Sequence, residues 1–128
     1  MARPIDPSQS YVFLDTQGSS RVVEGGPSFW ENVDTVLAPL GRGWLVTEFE
    51  CDGDWANWEM HPHADEFVYL LSGDADFVLD LPAGREVVPL AGRAAVVVPR
   101  GVWHTAKVRA PSRMLFVTMG DGTEHRPA

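Results

Sequence analysis

The stretch Gly53–Gly73, GDWANWEMHPHADEFVYLLSG, decides how the rest of the chain is read. It sets Glu59, His61 and His63 at every second position. In an extended strand, residues two apart face the same way. Three potential metal ligands would then share one side, within about 14 Å at the rise of a strand. Glu66 follows and opens an apolar run, EFVYLL, that stops at the turn-forming Ser72-Gly73-Asp74. Further on, Pro99-Arg100-Gly101-Val102-Trp103-His104 places another histidine just after a tight turn. If both segments line one barrel, His104 completes a coordination sphere begun by the first. The plainer alternative makes His61 and His63 solvated turn residues on either side of Pro62.

Outward from this stretch the chain reads as short β-type runs bounded by turn residues. Trp44–Glu50 alternates, with Leu45, Thr47 and Phe49 on one side and Trp44, Val46, Glu48 and Glu50 on the other. Ala75–Leu81 stops at Pro82-Ala83-Gly84, Arg85–Leu90 at Ala91-Gly92, and Ala94–Val98 at Pro99. Val102–Val108 stops before Ala110-Pro111, and Arg113–Met119 is the last run. Such closely spaced strands without a strong helical period predict an all-β sandwich or barrel. Before it, Tyr11–Leu14 and Arg21–Glu24 read as short strands. Ser28–Leu37 spaces Phe29, Val33, Val36 and Leu37 as a helix would. The polar tail Gly120–Ala128 is expected to be loosely held. The organisation predicted is an N-terminal extension over 1–42, a barrel over 43–120 and a flexible tail over 121–128.

The 128 residues, 45% of them hydrophobic, suffice for one domain and its core. Cys51 is the only cysteine and has no disulfide partner. No apolar run approaches the roughly 20 residues that span a bilayer. The opening MARPIDPSQS lacks a signal-peptide apolar stretch. The expected setting is therefore cytoplasmic and reducing, with no membrane contact. A net charge of −8 argues against phosphate backbones, and so against nucleic acid. That charge is segregated: −2 over 1–42, −10 over 43–84, where there is no Lys or Arg, and +4 over 85–128. A base-free acidic block containing His61 and His63 has the composition of a cation site, its spare carboxylates biasing the local field.

These two segments resemble the cupin superfamily, small β-barrels of the double-stranded β-helix or jelly-roll type. Its motifs are G-x5-H-x-H-x(3,4)-E-x6-G and G-x5-P-x-G-x2-H-x3-N. Here Glu66-x6-Gly73 fits the first, and Pro99-x-Gly101-x2-His104 fits the second after Gly92 with one residue too many. Two registers compete. Counted from Gly53 without a gap, Glu59 replaces the family's first histidine, and the resemblance implies Glu59, His61, Glu66 and His104 as metal ligands. The rival keeps His61 and His63 as the pair but leaves one residue too few before Glu66. The ungapped register fits better; His61, Glu66 and His104 survive in both. The closing asparagine is Val108 here.

The resemblance implies one divalent transition metal, and imidazoles with carboxylates suit Fe, Mn, Zn, Ni or Cu alike. It also implies a small-molecule ligand or substrate and a homodimer, for which Tyr11–Glu24 offers a strand to a partner's sheet edge. Whichever of Glu59 and His63 is not a ligand is the expected catalytic base. The activity expected is that of a metal-dependent dioxygenase, isomerase or lyase. A non-catalytic ligand or metal sensor and a metal-free interaction barrel are the alternatives. Trp55, Trp58 and Trp103 read either as walls of a pocket mouth or as core or interface aromatics. Tyr69, Phe77, Met114 and Phe116 lie on strands and read as barrel lining or ordinary core. Arg113 and His125 are expected to be exposed. Carboxylates beside Cys51 should raise its pKa and leave it unreactive.

Overall fold

A computed structural model describes residues 2–128. In chain order the elements are β1 (Ser10–Asp15), β2 (Ser20–Glu24), α1 (Pro27–Glu31), α2 (Val33–Leu37), a 3-10 turn (Ala38–Leu40), β3 (Gly43–Cys51) and β4 (Asn57–Met60). Then come β5 (Glu66–Leu81), β6 (Gly84–Ala91), β7 (Ala95–Val98), β8 (Trp103–Thr118) and β9 (Glu124–Pro127). The architecture is the all-β jelly-roll barrel, made by one nine-stranded sheet folded over itself.

The fold-over rests on β5 and β8, 16 residues each, which pair antiparallel along nearly their whole length. Their halves belong to different layers. Glu66–Tyr69 pairs with β7, and Ser112–Thr118 pairs with β3, which continues through β1 to β2. Asp74–Leu81 pairs with β6, while His104 lies opposite Glu59 of β4, and β4 pairs with β9. The sequence predicted strand ends at Ser72-Gly73-Asp74 and before Pro111; the chain bends there instead. Register shifts between Leu70 and Ala75 supply the bend. Gly73 has φ 107, and a Cβ there would overlap Ser112. The Ser112 hydroxyl accepts from the Asp74 N–H at 3.0 Å and donates to the Ala110 carbonyl at 2.7 Å, so it occupies the space that glycine leaves.

Alternation directs the core inward from both layers. Val68, Leu70, Ala75, Phe77, Leu79 and Met114 are buried between them. Each of these side chains except Ala75 contributes roughly 1.5–3 kcal/mol. A second cluster of Tyr11, Phe13, Phe29 and Leu45 joins the N-terminal elements to the barrel. Two short helices replace the single helix predicted over Ser28–Leu37, because Asn32 leaves helical geometry at φ −128, ψ 24. The Tyr11 hydroxyl accepts from the Gly26 N–H and from the indole N–H of Trp30, at 3.2 and 3.1 Å, and pins the helical segment to β1. The extension is thus an integral wall. β1 lies between β2 and β3, so of the Tyr11–Glu24 stretch only β2, at the end of the sheet, has an unpaired edge.

Two further expectations are corrected. The tail is not loose, since Asn57–Met60 pairs in register with Glu124–Pro127. The acidic block is not a free field either. Glu48 and Glu50 are held by Arg113, Asp74 and Asp76 by Arg109, Asp80 by Arg126 and Asp54 by Lys107. Segregated charge along the chain becomes paired charge across strands. No helix among the described residues is long and apolar enough to cross a membrane.

Candidate metal centre

Glu59 and His104 face each other across the β4–β8 pair, which brings the two sequence segments together. His61 lies one residue beyond the end of β4, and its carbonyl accepts from the Gly101 N–H at 2.8 Å. Asp65 caps the same turn by accepting from the Arg100 N–H at 2.8 Å. Pro99-Arg100-Gly101 therefore clamps the histidine loop against the strand carrying His104. Ligand atoms of Glu59, His61 and His104 converge within 4.8 Å of one another. Glu66, at the start of β5, closes the group: its carboxylate lies 3.4 Å from His61 Nε2 and 3.2 Å from His104 Nε2.

The ring orientations follow from the outer nitrogens. His104 Nδ1–H donates to the Val102 carbonyl at 3.0 Å. His61 Nδ1 lies 2.8 Å from the Thr123 hydroxyl oxygen, and that hydroxyl spends its proton on the Gly120 carbonyl at 2.7 Å. Thr123 can then only accept, so His61 Nδ1 carries the hydrogen. Both Nε2 atoms are turned inward with their coordinating positions free, as outer partners arrange in metal sites. Thr118 holds the other side by donating to Glu66 Oε2.

His61, Glu66 and His104 are buried, yet His61 Nε2, Glu66 Oε1 and His104 Nε2 have no aligned hydrogen bond. Three orphaned polar atoms pointing at one spot are costly unless something binds there. Two neutral imidazoles and two carboxylates are a donor set that a divalent transition metal takes. The residues fit such an ion. Burial alone would raise the Glu66 carboxyl, but the two imidazoles outweigh it and hold the group at about 2. For His104, burial opposes protonation and Glu66 more than compensates, so its pKa is raised.

His63 stays outside the group. The strand ends at Met60 and the chain turns through Pro62, so alternation does not extend that far. Its ring is partly exposed and faces Asp121 at 3.8 Å. The geometry thus assembles the ungapped set. Glu59 reaches it from the open side, 3.7 Å from His61 Nε2. His125, expected to be solvated, lies 3.3 Å from Glu59.

Glu59, His61 and Glu66 line a cavity of about 990 Å³, with His104 fully buried behind them. Phe49, Trp55 and Phe116 wall it from the barrel, and Trp30, Val33 and Leu37 from the N-terminal helices. Trp55 packs edge-on to Phe77 and lies 6.4 Å from the His104 ring. Trp58 and Trp103 are elsewhere. Arg85 and Arg126 stack on Trp58, and Arg126 also lies 4.4 Å over Trp103. Phe77, Met114 and Phe116 are core, while Tyr69 is only half-buried and its hydroxyl accepts from Arg93. Burial first, and then Asp52 and Glu50, push the Cys51 thiol up. Thr118, Thr123 and the helical wall were not found from the sequence; Gly120-Asp121-Gly122-Thr123 was the readable sign of a turn.

A family model described as Cupin domain matches residues 45–119. Among solved structures, the chain is similar to a cupin-2 domain containing protein from Shewanella frigidimarina, at TM-score 0.51 and 16% identity over 59% of this chain and 70% of that one. A cupin superfamily protein from Desulfitobacterium hafniense is similar at TM-score 0.52 and 19% identity, over 62% and 68%. Hydroquinone 1,2-dioxygenase from a Sphingomonas species is similar at TM-score 0.50 and 20% identity, over 59% of each chain. The chain thus spans less than two thirds of that enzyme. A comparison with the curated proteins finds no match. At these identities the likeness shows the fold.

Proposed function

The chain belongs to the cupin domain family, and from that premise we propose that it is a metal-dependent enzyme acting on a small organic molecule. Glu59, His61, Glu66 and His104 would hold one divalent transition metal. The observation that carries the reading is the convergence of three buried, unpartnered polar atoms beside a walled cavity that His61 and Glu66 line. A metal there would supply Lewis acidity toward an oxygen of the substrate. The residues around it do the remaining work. Trp55 and Phe116 give the cavity apolar walls, and the Nδ1 partners of both rings fix their orientation. Glu59, in contact with His61 and His125, would complete the donor set from the open side. His63, the base expected from sequence when Glu59 is a ligand, lies outside the group beside Asp121, which lines the cavity.

The test is metal content followed by turnover. Reconstituted protein should retain close to one transition metal per chain and transform at least one compound in a panel of small aromatic and aliphatic alcohols, enols and ketones. Metal without turnover would favour the sensor reading. No retained metal would overturn both.

We also propose that the homodimer expected from the family resemblance forms through a sheet face rather than a sheet edge. The pairings align Val22, Val12, Val46, Val117, Phe67 and Val97 in one row on the outer side of the first layer. Val22, Phe67 and Val97 are 55%, 40% and 57% exposed. Six strands span about 24 Å, and Trp44, Leu115 and Tyr69 flank the row on the same face. A second copy presents the same apolar row and matches it without charge conflict. Sedimentation should show a dimer that Phe67→Lys with Val97→Lys converts to monomer. A monomeric wild type at micromolar concentration would overturn this.

A further inference from the structure

The centre differs from the family pattern at its first ligand, where Glu59 stands in place of histidine, and the difference changes the charge that a ligand meets. Resting on the metal reading above, we infer that the cavity takes an uncharged, largely apolar molecule presenting a hydroxyl or carbonyl oxygen, and disfavours carboxylates. Two carboxylates, Glu59 and Glu66, cancel a dication; one carboxylate with three imidazoles would leave a positive charge to attract an anion. With Glu59 the centre offers an anion no net attraction, and the Glu59 carboxylate itself faces the cavity.

The walls make the same selection. Among the described residues, Arg42 is the only lysine or arginine lining the cavity, and it is already paired with Asp121 at 3.1 Å. Asp34 lines the mouth without an ion-pair partner. An incoming carboxylate would therefore lose its hydration and gain no free counter-charge. The aromatic sides, Phe49, Trp55 and Phe116, instead offer flat apolar area. A neutral oxygen can approach a metal at the floor while its apolar body is buried between them.

The test uses zinc-loaded protein, because zinc is redox-inert and separates binding from turnover. Phenol and benzoate, alike in size and differing in charge at pH 7, are titrated calorimetrically. Phenol should bind at least tenfold more tightly than benzoate. Asp121→Asn, which releases Arg42, and Glu59→Gln, which adds a positive charge at the floor, should each improve benzoate binding tenfold or more. Asp121→Asn should not change phenol binding more than threefold. If Glu59→Gln fails to retain zinc, the wild-type preference and the Asp121→Asn gain still decide the matter. Zinc bound at one per chain with benzoate equal to or tighter than phenol overturns this inference alone. Failure of the wild type to retain zinc overturns the metal reading beneath it.

Discussion

Replacing Thr123 by valine removes one oxygen and leaves a side chain of nearly the same shape. In the native chain that oxygen accepts from His61 Nδ1 at 2.8 Å while the hydroxyl proton is held by the Gly120 carbonyl. His61 is only 5% exposed, so water cannot readily take over the acceptor's place. The imidazole then has two options. It can keep its Nδ1–H unpaired in the interior, which costs about 1–3 kcal/mol. Or it can shift the hydrogen to Nε2, which blocks the atom that faces Glu66 and His104. Either way the orientation of a ligand is lost, a change that costs roughly 10–100-fold in metal affinity at comparable sites. The two ranges agree, since each tenfold is about 1.4 kcal/mol. Zinc affinity measured by chelator competition should fall by that factor in Thr123→Val, and urea unfolding of the metal-free protein should show the stability loss. Thr123→Ser, which restores the acceptor, should recover most of both. Wild-type zinc affinity in the valine variant would refute the role given to Thr123, even if stability fell.

The pH dependence of the metal-free protein follows from the same cluster. Glu66 is held at about 2 from an ordinary 4.5, so its contribution to stability is present above pH 4.5 and is lost as pH falls toward 2. His104 is raised above 6.5, so its contribution is present below that value and fades as pH climbs through its folded pKa. Thermal melts in chelator should peak between pH 4.5 and 6.5. Saturating zinc should remove the alkaline decline, because the metal replaces the His104 proton; a chelated protein whose melting temperature rises from pH 6 to 8 would contradict the ion pair. At the ligands, Glu59→Ala should weaken zinc binding tenfold or more and His63→Ala less than threefold, by the same competition assay. Gly73→Ala should destabilise the fold by more than about 2 kcal/mol in urea, through the φ of 107 and the overlap with Ser112. A smaller loss would mean that the β5–β8 bend is freer than drawn.

Periodicity and turn chemistry made the barrel legible. Leu45, Thr47 and Met114 alternate with Val46, Glu48 and Leu115 in the sequence as they do across the β3–β8 pair. The two long strands were hidden because Gly73 and Pro111 read as chain reversals, whereas tertiary pairing turned both places into bends. Charge misled for a related reason. A block without Lys or Arg suggested a cation field, but strand pairing set Arg109 and Arg113 against it. At the centre, Glu66 and His104 stand where the motif spacing puts them. The choice between Glu59 and His63 turned on where β4 stops, which alternation within one segment does not reveal. Thr118 and Thr123 carry no local signature, since they act on Glu66 and His61, each more than 50 residues away in the chain.

Anomalous scattering from crystals of protein reconstituted with zinc or manganese tests the central claim most directly. One strong peak per chain should lie at the cavity floor, within coordinating reach of His61 Nε2, His104 Nε2 and Glu66 Oε1, with Glu59 completing the set. A peak held instead by His63 and Asp121, or no peak after reconstitution, would contradict the account.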